Sequence, residues 1–199
     1  MHPNRKFRIV DPAAMAELVR EIGFGTLTVA TPAGLRTVHV PVLLREDRLR
    51  FHVARGNEVH ESLLAGADAL FVVTGAHGYI SPDWYGMEDR VPTWDYVAVE
   101  LNGRVSPLPD GELAALLDDL SAEREARLAP KRPWTRDKMS PGRFEGLMKA
   151  ITGFEMQITA WRGTAKLEQD RPEAVRLRVA EALEEQGEQA LAACIRRGR

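Results

Sequence analysis

The chain combines helix-forming ends with a middle in which hydrophobic and polar positions alternate. Asp11-Pro12 is a favourable helix start, because aspartate accepts hydrogen bonds from free backbone donors and proline suits the first turn. Apolar residues then recur at helical spacing as far as Gly23, which can end the helix. The same spacing predicts a C-terminal helix from Glu173 to about Arg196.

Period-two alternation and β-branched residues predict roughly six strands in the middle of the chain. They lie at residues 25–30, 35–44, 48–54, 69–75, 95–108 and 154–161, with a further short strand within 162–172. Pro41 falls inside the second strand and indicates an edge or a bulge, because proline cannot donate to the ladder. In the strand over 95–108, Val97 and Val99 lie on one face and Tyr96 on the other.

Sequential strands with short connections favour a mainly β, antiparallel split or closed barrel over a doubly wound parallel sheet. A short helix is predicted over 57–66, and two helices are predicted within an insertion at 109–150. The sequence contains no Rossmann fingerprint, no P-loop and no cysteine pair with zinc spacing. It therefore argues against a Rossmann-type nucleotide site, a P-loop nucleotide site and a structural zinc site.

Composition and charge are those of a globular domain with ample core material. The 199 residues are 44% hydrophobic and 28% charged, and the formal net charge is −2. No basic stripe is evident, so direct nucleic-acid binding is not favoured. A single cysteine suits a reducing compartment, and no apolar run resembles a signal peptide or a membrane span. We expect a cytoplasmic protein without a membrane partner.

The joint between the strand over 48–54 and the following helix is the first candidate binding segment. Arg55, Gly56 and Asn57 combine a guanidinium group with a flexible turn and a helix start, which together can hold an anion. The alternative is that Asn57 only caps the helix and Arg55 is solvated.

The segment from His77 to Glu100 is the second candidate, because all three tyrosines and two of the four tryptophans lie there. Large planar side chains with polar groups suit a flat heteroaromatic ligand or a subunit interface. Pro82 and Pro92 stiffen the segment. The alternative is that these side chains pack in the core and in a hairpin.

The segment from Ala165 to Pro172 is the third candidate, because Lys166, Gln169 and Arg171 cluster after a strand. They could face a phosphate, or they could form an exposed polar turn. The histidines follow no metal-ligand spacing, and no Ser/His/Asp or Cys/His set can be assembled. No metal is therefore expected, and the catalytic residues are unknown, with His77, Tyr79 and Tyr85 as weak acid–base candidates.

Five motifs occur in the order found in the PaiB-like transcriptional regulators. They are FHVARGN (51–57), GYISPDWY (78–85), VPTWDYVAV (91–99), GFEMQI (153–158) and KLEQDRP (166–172). The chain resembles this family from about Phe7 to Pro172. The family is described as FMN-binding negative regulators with the split-barrel fold of pyridoxamine phosphate oxidase.

The resemblance implies a homodimeric flavoprotein that binds FMN where two subunits meet. It also implies a split-barrel domain over 1–172, including the insertion at 109–150, followed by a C-terminal helix and basic tail over 173–199. Carried over by position, it implies cofactor contacts from twelve residues: His52, Arg55, Asn57, Tyr79, Ser81, Trp84, Tyr85, Thr93, Trp94, Lys166, Gln169 and Arg171.

Three positions depart from the family pattern, and each adds a carboxylate. The family usually has Asn at the positions of Asp95 and Asp170, and often Pro at the position of Glu58. A carboxylate a few ångströms from a phosphate can cost on the order of 1 kcal/mol, or about tenfold in affinity. The departures therefore predict that FMN binding is weak or lost.

Two other functions are compatible with the same fold. Related split barrels are flavin-dependent oxidoreductases or haem-degrading enzymes, in which the cofactor carries the chemistry. A flavin-free dimer that binds another planar ligand or a protein is the second alternative. The sequence shows no helix-turn-helix, so regulation would act through a partner or an indirect route.

Overall fold

The computed structural model describes residues 2–198, so Met1 and the last residue of the predicted basic tail, Arg199, lie outside the described residues. The chain divides into two compact units that interleave in sequence. Unit 1 consists of the N-terminal residues to Leu18, Val73–Glu100 and the residues from Trp161 onwards. Unit 2 consists of Val19–Val72 and Leu101–Ala160. The domain limits that the sequence suggests, 1–172 and 173–199, stay predictions.

Eight strands form one sheet, in which every pair of defined register is antiparallel. The strands are β1 (Arg8–Ile9), β2 (Phe24–Thr31), β3 (Gly34–Pro41), β4 (Leu43–Arg45), β5 (Arg48–Ala54), β6 (Ala67–Ile80), β7 (Thr93–Pro107) and β8 (Ile151–Lys166). Their order is β3-β2-β6-β7-β8-β5-β4, and β1 pairs with β8. Pro41 ends β3 at one end of this order, which confirms the predicted edge position.

The helices are α1 (Pro12–Ile22), α2 (His60–Leu64), α3 (Glu112–Glu125), α4 (Arg143–Met148), α5 (Glu173–Glu185) and α6 (Gln189–Arg197). At the start of α1, Asp11 Oδ1 accepts a hydrogen bond from the Ala13 backbone N–H at 2.9 Å. At its end, Gly23 adopts a φ of 57° and its N–H donates to the carbonyl of Val19 at 2.8 Å. Both predicted boundaries of α1 are therefore confirmed.

The predicted single C-terminal helix is instead two helices, α5 and α6. Gly187 adopts a φ of 85° between them, a left-handed conformation that interrupts a helix and that glycine tolerates best. Both helices bury apolar side chains in the core of unit 1. That core includes Ile80, Tyr85, Val97, Val175, Val179, Leu183, Leu191 and Ile195.

The strand predicted over 35–44 is two strands, β3 and β4, which pair with β2 and β5 respectively. Three further elements differ in length from the prediction. The helix predicted over 57–66 is only the five-residue α2, because residues 55–59 form a turn. The strand predicted over 69–75 continues to Ile80, so β6 carries the first aromatic residues. The two strands predicted after residue 153 are one strand, since the later part of β8 keeps a partner: Gly163 pairs with Ile9 of β1.

Strand β5 places its side chains alternately in the core of unit 2 and away from it. Leu49, Phe51 and Val53 are buried, and the ring of Phe51 stacks on that of Phe154 at a centroid distance of 5.9 Å. His52 lies between them in sequence and therefore points to the opposite face of the strand. His52 is the predicted site residue within β5, and this alternation decides which surroundings its side chain meets.

Candidate functional site

An exposed aromatic surface lies on the paired strands β6 and β7 of unit 1. It consists of His77, Tyr79 and Trp94, which we call the aromatic surface. The ring of Trp94 stacks on that of His77 at 6.1 Å and meets that of Tyr79 edge-on at 6.4 Å. Tyr79 and Trp94 are 48% and 52% exposed. Large aromatic side chains that remain this exposed on regular strands are typical of ligand and subunit contacts.

Other predicted contacts of the same segment stabilise the fold instead of forming an exposed surface. Ser81 caps the turn Pro82–Tyr85, since its hydroxyl accepts from the N–H of Asp83 at 3.3 Å. Tyr85 is buried, and its hydroxyl donates to Glu168 Oε1 at 2.9 Å. Trp84 packs against the core of unit 1. Of the segment's predicted cofactor contacts, Tyr79 and Trp94 are thus much the more accessible.

Lys166 is held by three acceptors inside unit 1. Its Nζ donates to Thr93 Oγ1 at 2.6 Å, to the carbonyl of Trp94 at 2.8 Å and to Asp95 Oδ1 at 2.9 Å. An ammonium group has three donors, so these contacts use all of them. The structure brings Lys166 together with Thr93 and Trp94, as the motifs suggest, but leaves Lys166 no free donor for a phosphate.

Asp95 is the buried anion of this network. Its side chain is fully buried, and Oδ2 has no hydrogen-bond partner among the described residues. Burial raises the pKa of Asp95 to about 7, and the nearby Glu168 carboxylate adds to the rise, while the hydrogen bond from Lys166 opposes it. Asp95 therefore acts as a partner of Lys166 within the protein, not as a surface charge beside a ligand.

Two further predicted contacts of the KLEQDRP motif, Gln169 and Arg171, have different roles. Gln169 forms hydrogen bonds within the protein, and Arg171 is an accessible cation. Gln169 accepts from the Leu167 N–H at 2.7 Å and donates to the Ala165 carbonyl at 2.5 Å. Arg171 donates through Nε to Glu168 at 3.3 Å, and its guanidinium group lies 5.4 Å from the centre of the Tyr85 ring. The terminal amino groups of Arg171 bind none of the described residues.

In unit 2, the turn that follows β5 presents Arg55 to solvent. Arg55 is exposed, and its side chain forms no hydrogen bond or ion pair with a described residue. Asn57 Oδ1 accepts from the Val59 N–H at 3.1 Å, and the Asn57 carbonyl accepts from the His60 N–H at 3.0 Å. Since these donors are already used and α2 begins only at His60, the turn offers a free guanidinium group without the expected helix start.

The two other carboxylates that depart from the family pattern are also accompanied by cations. Glu58 Oε2 accepts from Arg36 Nε at 2.6 Å. Asp170 Oδ1 lies 4.0 Å from Arg171 Nε. The electrostatic penalty that the sequence suggests for an anionic ligand is therefore offset at Glu58 by Arg36 and at Asp95 by Lys166, whereas Arg171 is shared between Asp170 and Glu168.

His52 and the Arg55 turn have different neighbours. The side chain of His52 faces α3. It lines a cavity of about 350 Å³ together with Pro41 and residues of α3. Its Nδ1 is buried and has no hydrogen-bond partner within the described chain. Burial lowers the pKa of His52, so its ring is neutral at pH 7.

Comparison with known proteins assigns the chain to a family. The model of the “Putative FMN-binding domain” family matches residues 1–160. The chain belongs to this family. It is also 30% identical over 188 residues to the protease synthase and sporulation protein PAI 2 of Bacillus subtilis, with 92% of this chain and 89% of that protein covered. The PaiB-like resemblance that the motifs indicate is thus confirmed.

Solved structures support the fold of the FMN-binding domain family for this chain. The FAD- and haem-binding protein of Mycobacterium smegmatis is similar with a TM-score of 0.58 and 18% identity, over 80% of this chain and 73% of that one. The flavocytochrome Anf3 of Azotobacter vinelandii is similar with a TM-score of 0.54 and 12% identity, over 82% and 72%. At these identities the likeness concerns the fold alone. The predicted antiparallel split-barrel fold with inserted and C-terminal helices is confirmed.

Two further observations on this family member concern metal binding and membrane-spanning helices. Within residues 2–198, no group of three or more His, Cys, Asp or Glu side chains is arranged to hold a metal ion. No helix in the same range is long and apolar enough to cross a membrane.

Sequence reasoning missed two features of the site. The first is the burial of Asp95, which the alternation of β7 could have indicated, because Asp95 shares a face with Val97 and Val99. The second is the cavity beside His52, which depends on how the inserted helix α3 packs. No local pattern in the sequence carries that information.

Proposed function

We propose that the protein is a homodimeric flavoprotein that binds FMN where two subunits meet. The observation that carries this proposal is the aromatic surface, in which Tyr79 and Trp94 stay about half exposed on well-formed strands. A flat isoalloxazine ring or a second subunit would cover such a surface at little entropic cost, because its rings are already fixed by mutual stacking. Membership of the FMN-binding domain family supports the choice of ligand.

Arg55, in unit 2, is the cation that we propose for the FMN phosphate, and Arg171, in unit 1, is a separate second candidate. Both have guanidinium donors that bind no described residue, and bidentate donation from arginine suits a phosphate group. Asn57 can add its side-chain amide N–H groups, because only its carbonyl oxygen is engaged. The pairing of Glu58 with Arg36 favours retention of FMN binding.

Most of the other predicted contacts receive a positioning role in this proposal. Lys166 and Thr93 fix the backbone of Trp94, since Lys166 donates to both the Thr93 hydroxyl and the Trp94 carbonyl. Ser81, Trp84, Tyr85 and Gln169 shape the segments on either side. His52 is left out of the flavin site, because its side chain faces the cavity beside α3.

We also propose that the protein regulates gene expression without contacting DNA itself. The relative in Bacillus subtilis is named for protease synthesis and sporulation. In this chain the most basic stretch, residues 124–149, is partly neutralised by acidic side chains: Arg127 pairs with Glu123, Lys131 with Glu125 and Arg136 with Asp118. The measurement is gel retardation of duplex DNA, in which salt-sensitive binding would contradict the proposal.

Flavin binding is tested by titrating the purified protein with FMN and following the quenching of flavin fluorescence. We expect saturable binding by the wild type and at least tenfold weaker binding by Arg55→Ala, which is about 1.4 kcal/mol. Arg143→Ala is the matched control, because Arg143 is an exposed arginine of unit 2 whose side chain forms no hydrogen bond or ion pair with a described residue. It should bind like the wild type.

Two results would contradict this proposal. Absence of saturable FMN binding by the wild type would overturn the flavoprotein assignment. Equal affinities of Arg55→Ala and the wild type would instead place the phosphate elsewhere while leaving the cofactor in place.

A further inference from the structure

The cavity beside α3 is open and has a mainly apolar lining, which also includes His52, Ser121, Arg124 and Glu125, all within unit 2. Its volume is about 350 Å³, at the lower end of the range of small-molecule sites. Leu117, Leu120 and Pro41 supply apolar walls, and Trp134 adds an aromatic side chain. A site of this size and lining suits a small ligand with an apolar body.

His52, one of the lining residues, carries a buried polar atom that the protein itself does not satisfy. The buried Nδ1 of His52 has no hydrogen-bond partner in the described part of the chain. Buried polar atoms are nearly always hydrogen-bonded, so an unsatisfied ring nitrogen at a cavity is unusual. Because the ring is neutral, His52 contributes no charge to the cavity.

At Arg124, which lines the cavity and marks its rim, the neighbouring charges are mainly positive. The Glu123 carboxylate lies near three guanidinium groups: Arg124 at 3.4 Å, Arg45 at 3.5 Å and Arg127 at 3.6 Å. One negative charge among three positive ones leaves the rim attractive to an anion. Burial lowers the pKa of Arg124, and repulsion from the nearby Arg127 lowers it further, while Glu123 opposes the shift.

Arg124 is fixed in place at this rim. Its terminal amino groups donate to the carbonyls of Glu21 at 3.1 Å and Arg20 at 3.2 Å, which tie it to the end of α1. The other charged residue of the lining, Glu125, is already compensated, because it accepts from Lys131 and from the Trp134 N–H. Arg124 therefore supplies the uncompensated charge of the cavity lining.

We propose that this cavity is a second ligand site, which binds a small organic acid with an apolar, preferably aromatic, body. The apolar part lies among Leu117, Leu120 and Trp134, and the carboxylate faces Arg124. The site is distinct from the proposed flavin contacts, since it shares none of Arg55, Tyr79 or Trp94.

The probe for this site is 2-naphthoate, with uncharged 2-naphthamide as its isosteric control, both titrated by isothermal calorimetry. We expect saturable binding of 2-naphthoate below about 1 mM and at least fivefold weaker binding of 2-naphthamide. Absence of 2-naphthoate binding up to about 10 mM would overturn the proposal. Equal affinities for the two compounds would overturn the requirement for an anion.

A cavity-filling variant locates the binding. Leu117→Trp should weaken 2-naphthoate binding at least tenfold, because the larger side chain occupies the cavity. The matched control is Leu147→Trp, the same substitution at an exposed residue of α4 that does not line the cavity; it should bind like the wild type. Ser121→Trp, also in the lining, serves as the second variant if Leu117→Trp does not fold. Wild-type affinity in a folded lining variant would overturn the location.

Competition with FMN separates this site from the proposed flavin site. Saturation with FMN should leave the affinity for 2-naphthoate unchanged within a factor of about two. Mutual exclusion of FMN and 2-naphthoate would show one shared site and overturn the proposal. If FMN does not bind at all, 2-naphthoate binding that Leu117→Trp abolishes still supports the cavity, so the two proposals fail independently.

Discussion

At the scale of single residues, Lys166 and Arg55 show how the surroundings decide what a cation can bind. Both are candidate phosphate ligands by sequence. The side chain of Lys166 is 14% exposed, and its three N–H groups donate to acceptors of the protein. Arg55, in contrast, is exposed, and its side chain is unpaired within the described chain. The sequence identifies both cations correctly as members of motifs, but only the packing around them separates a brace from a binding group.

Removal of Lys166 should therefore reduce stability more than it alters ligand contacts. Lys166→Met leaves the fully buried Asp95 without its cation, and breaking a buried pair from one side costs about 3–5 kcal/mol. The double variant Asp95→Asn/Lys166→Met should recover part of this loss, because it carries no unpaired charge. Urea unfolding measures both values. A Lys166→Met protein as stable as the wild type would rule out the brace.

The raised pKa of Asp95 predicts a pH dependence of stability. The pKa is about 7 in the folded protein against an ordinary value of 3.8, so the unfolded chain loses this proton first as the pH rises. The contribution of Asp95 to stability is thus complete below about pH 4 and declines towards pH 7, with a slope of up to about 1.4 kcal/mol per pH unit.

Asp95→Asn should remove this slope, since asparagine does not titrate. The comparison is the free energy of unfolding of Asp95→Asn minus that of the wild type, measured from pH 4 to pH 8. We expect the difference to shift in favour of the variant as the pH rises. A difference that is constant with pH would show that Asp95 titrates near its ordinary pKa.

At the scale of elements, the sequence predicts what local pattern controls and misses what tertiary contacts control. The limits of α1 follow from Asp11 and Gly23, and the edge position of β3 follows from Pro41. The extension of β8 past residue 161 depends on pairing with β1, a two-residue strand far away in sequence. Such a strand carries too few residues for a period-two pattern.

Gly103 tests a contact between elements, because it lies where β7 passes close to β8. A Cβ atom at Gly103 would stand 2.3 Å from the Gln157 carbonyl oxygen and 2.8 Å from Met156 Cγ. Since the backbone oxygen cannot move without disturbing β8, Gly103→Ala should cost about 3 kcal/mol. Thermal unfolding followed by circular dichroism measures this loss.

The matched control for Gly103 is Gly146→Ala in α4. A Cβ atom there has no neighbour within 4 Å, and alanine loses less backbone entropy than glycine in a helix. We expect Gly146→Ala to raise stability by about 0.5–1 kcal/mol. If both variants shifted the unfolding temperature in the same direction, the close approach at Gly103 would not be the cause.

At the scale of the whole molecule, the proposed function requires an assembly that a single chain does not reveal. Net charge is small, at −2, so electrostatic repulsion between two copies is weak. The aromatic surface provides apolar area with polar groups at His77 and Tyr79, the composition expected at the centre of an interface. Sequence motifs indicate the aromatic residues, but their exposure follows only from which face of β6 and β7 packs on the core.

Trp94 is the residue with which to test the dimer. The wild type should have twice the chain mass of 22.2 kDa by light scattering coupled to size exclusion. Trp94→Glu should run at 22.2 kDa at the same concentration, because an uncompensated charge at the centre of an interface is costly to desolvate. The control is Leu147→Glu, which also adds a carboxylate at an exposed apolar position, but on α4 of unit 2. It should remain dimeric.

The same variants connect the assembly to the cofactor. If FMN lies where two subunits meet, Trp94→Glu should lose FMN binding together with the dimer, whereas Leu147→Glu should keep both. A monomeric wild type that binds FMN, or a Trp94→Glu dimer that binds FMN normally, would place the flavin away from the aromatic surface. A monomeric wild type would also leave the exposure of Tyr79 and Trp94 unexplained, because no partner subunit would cover them.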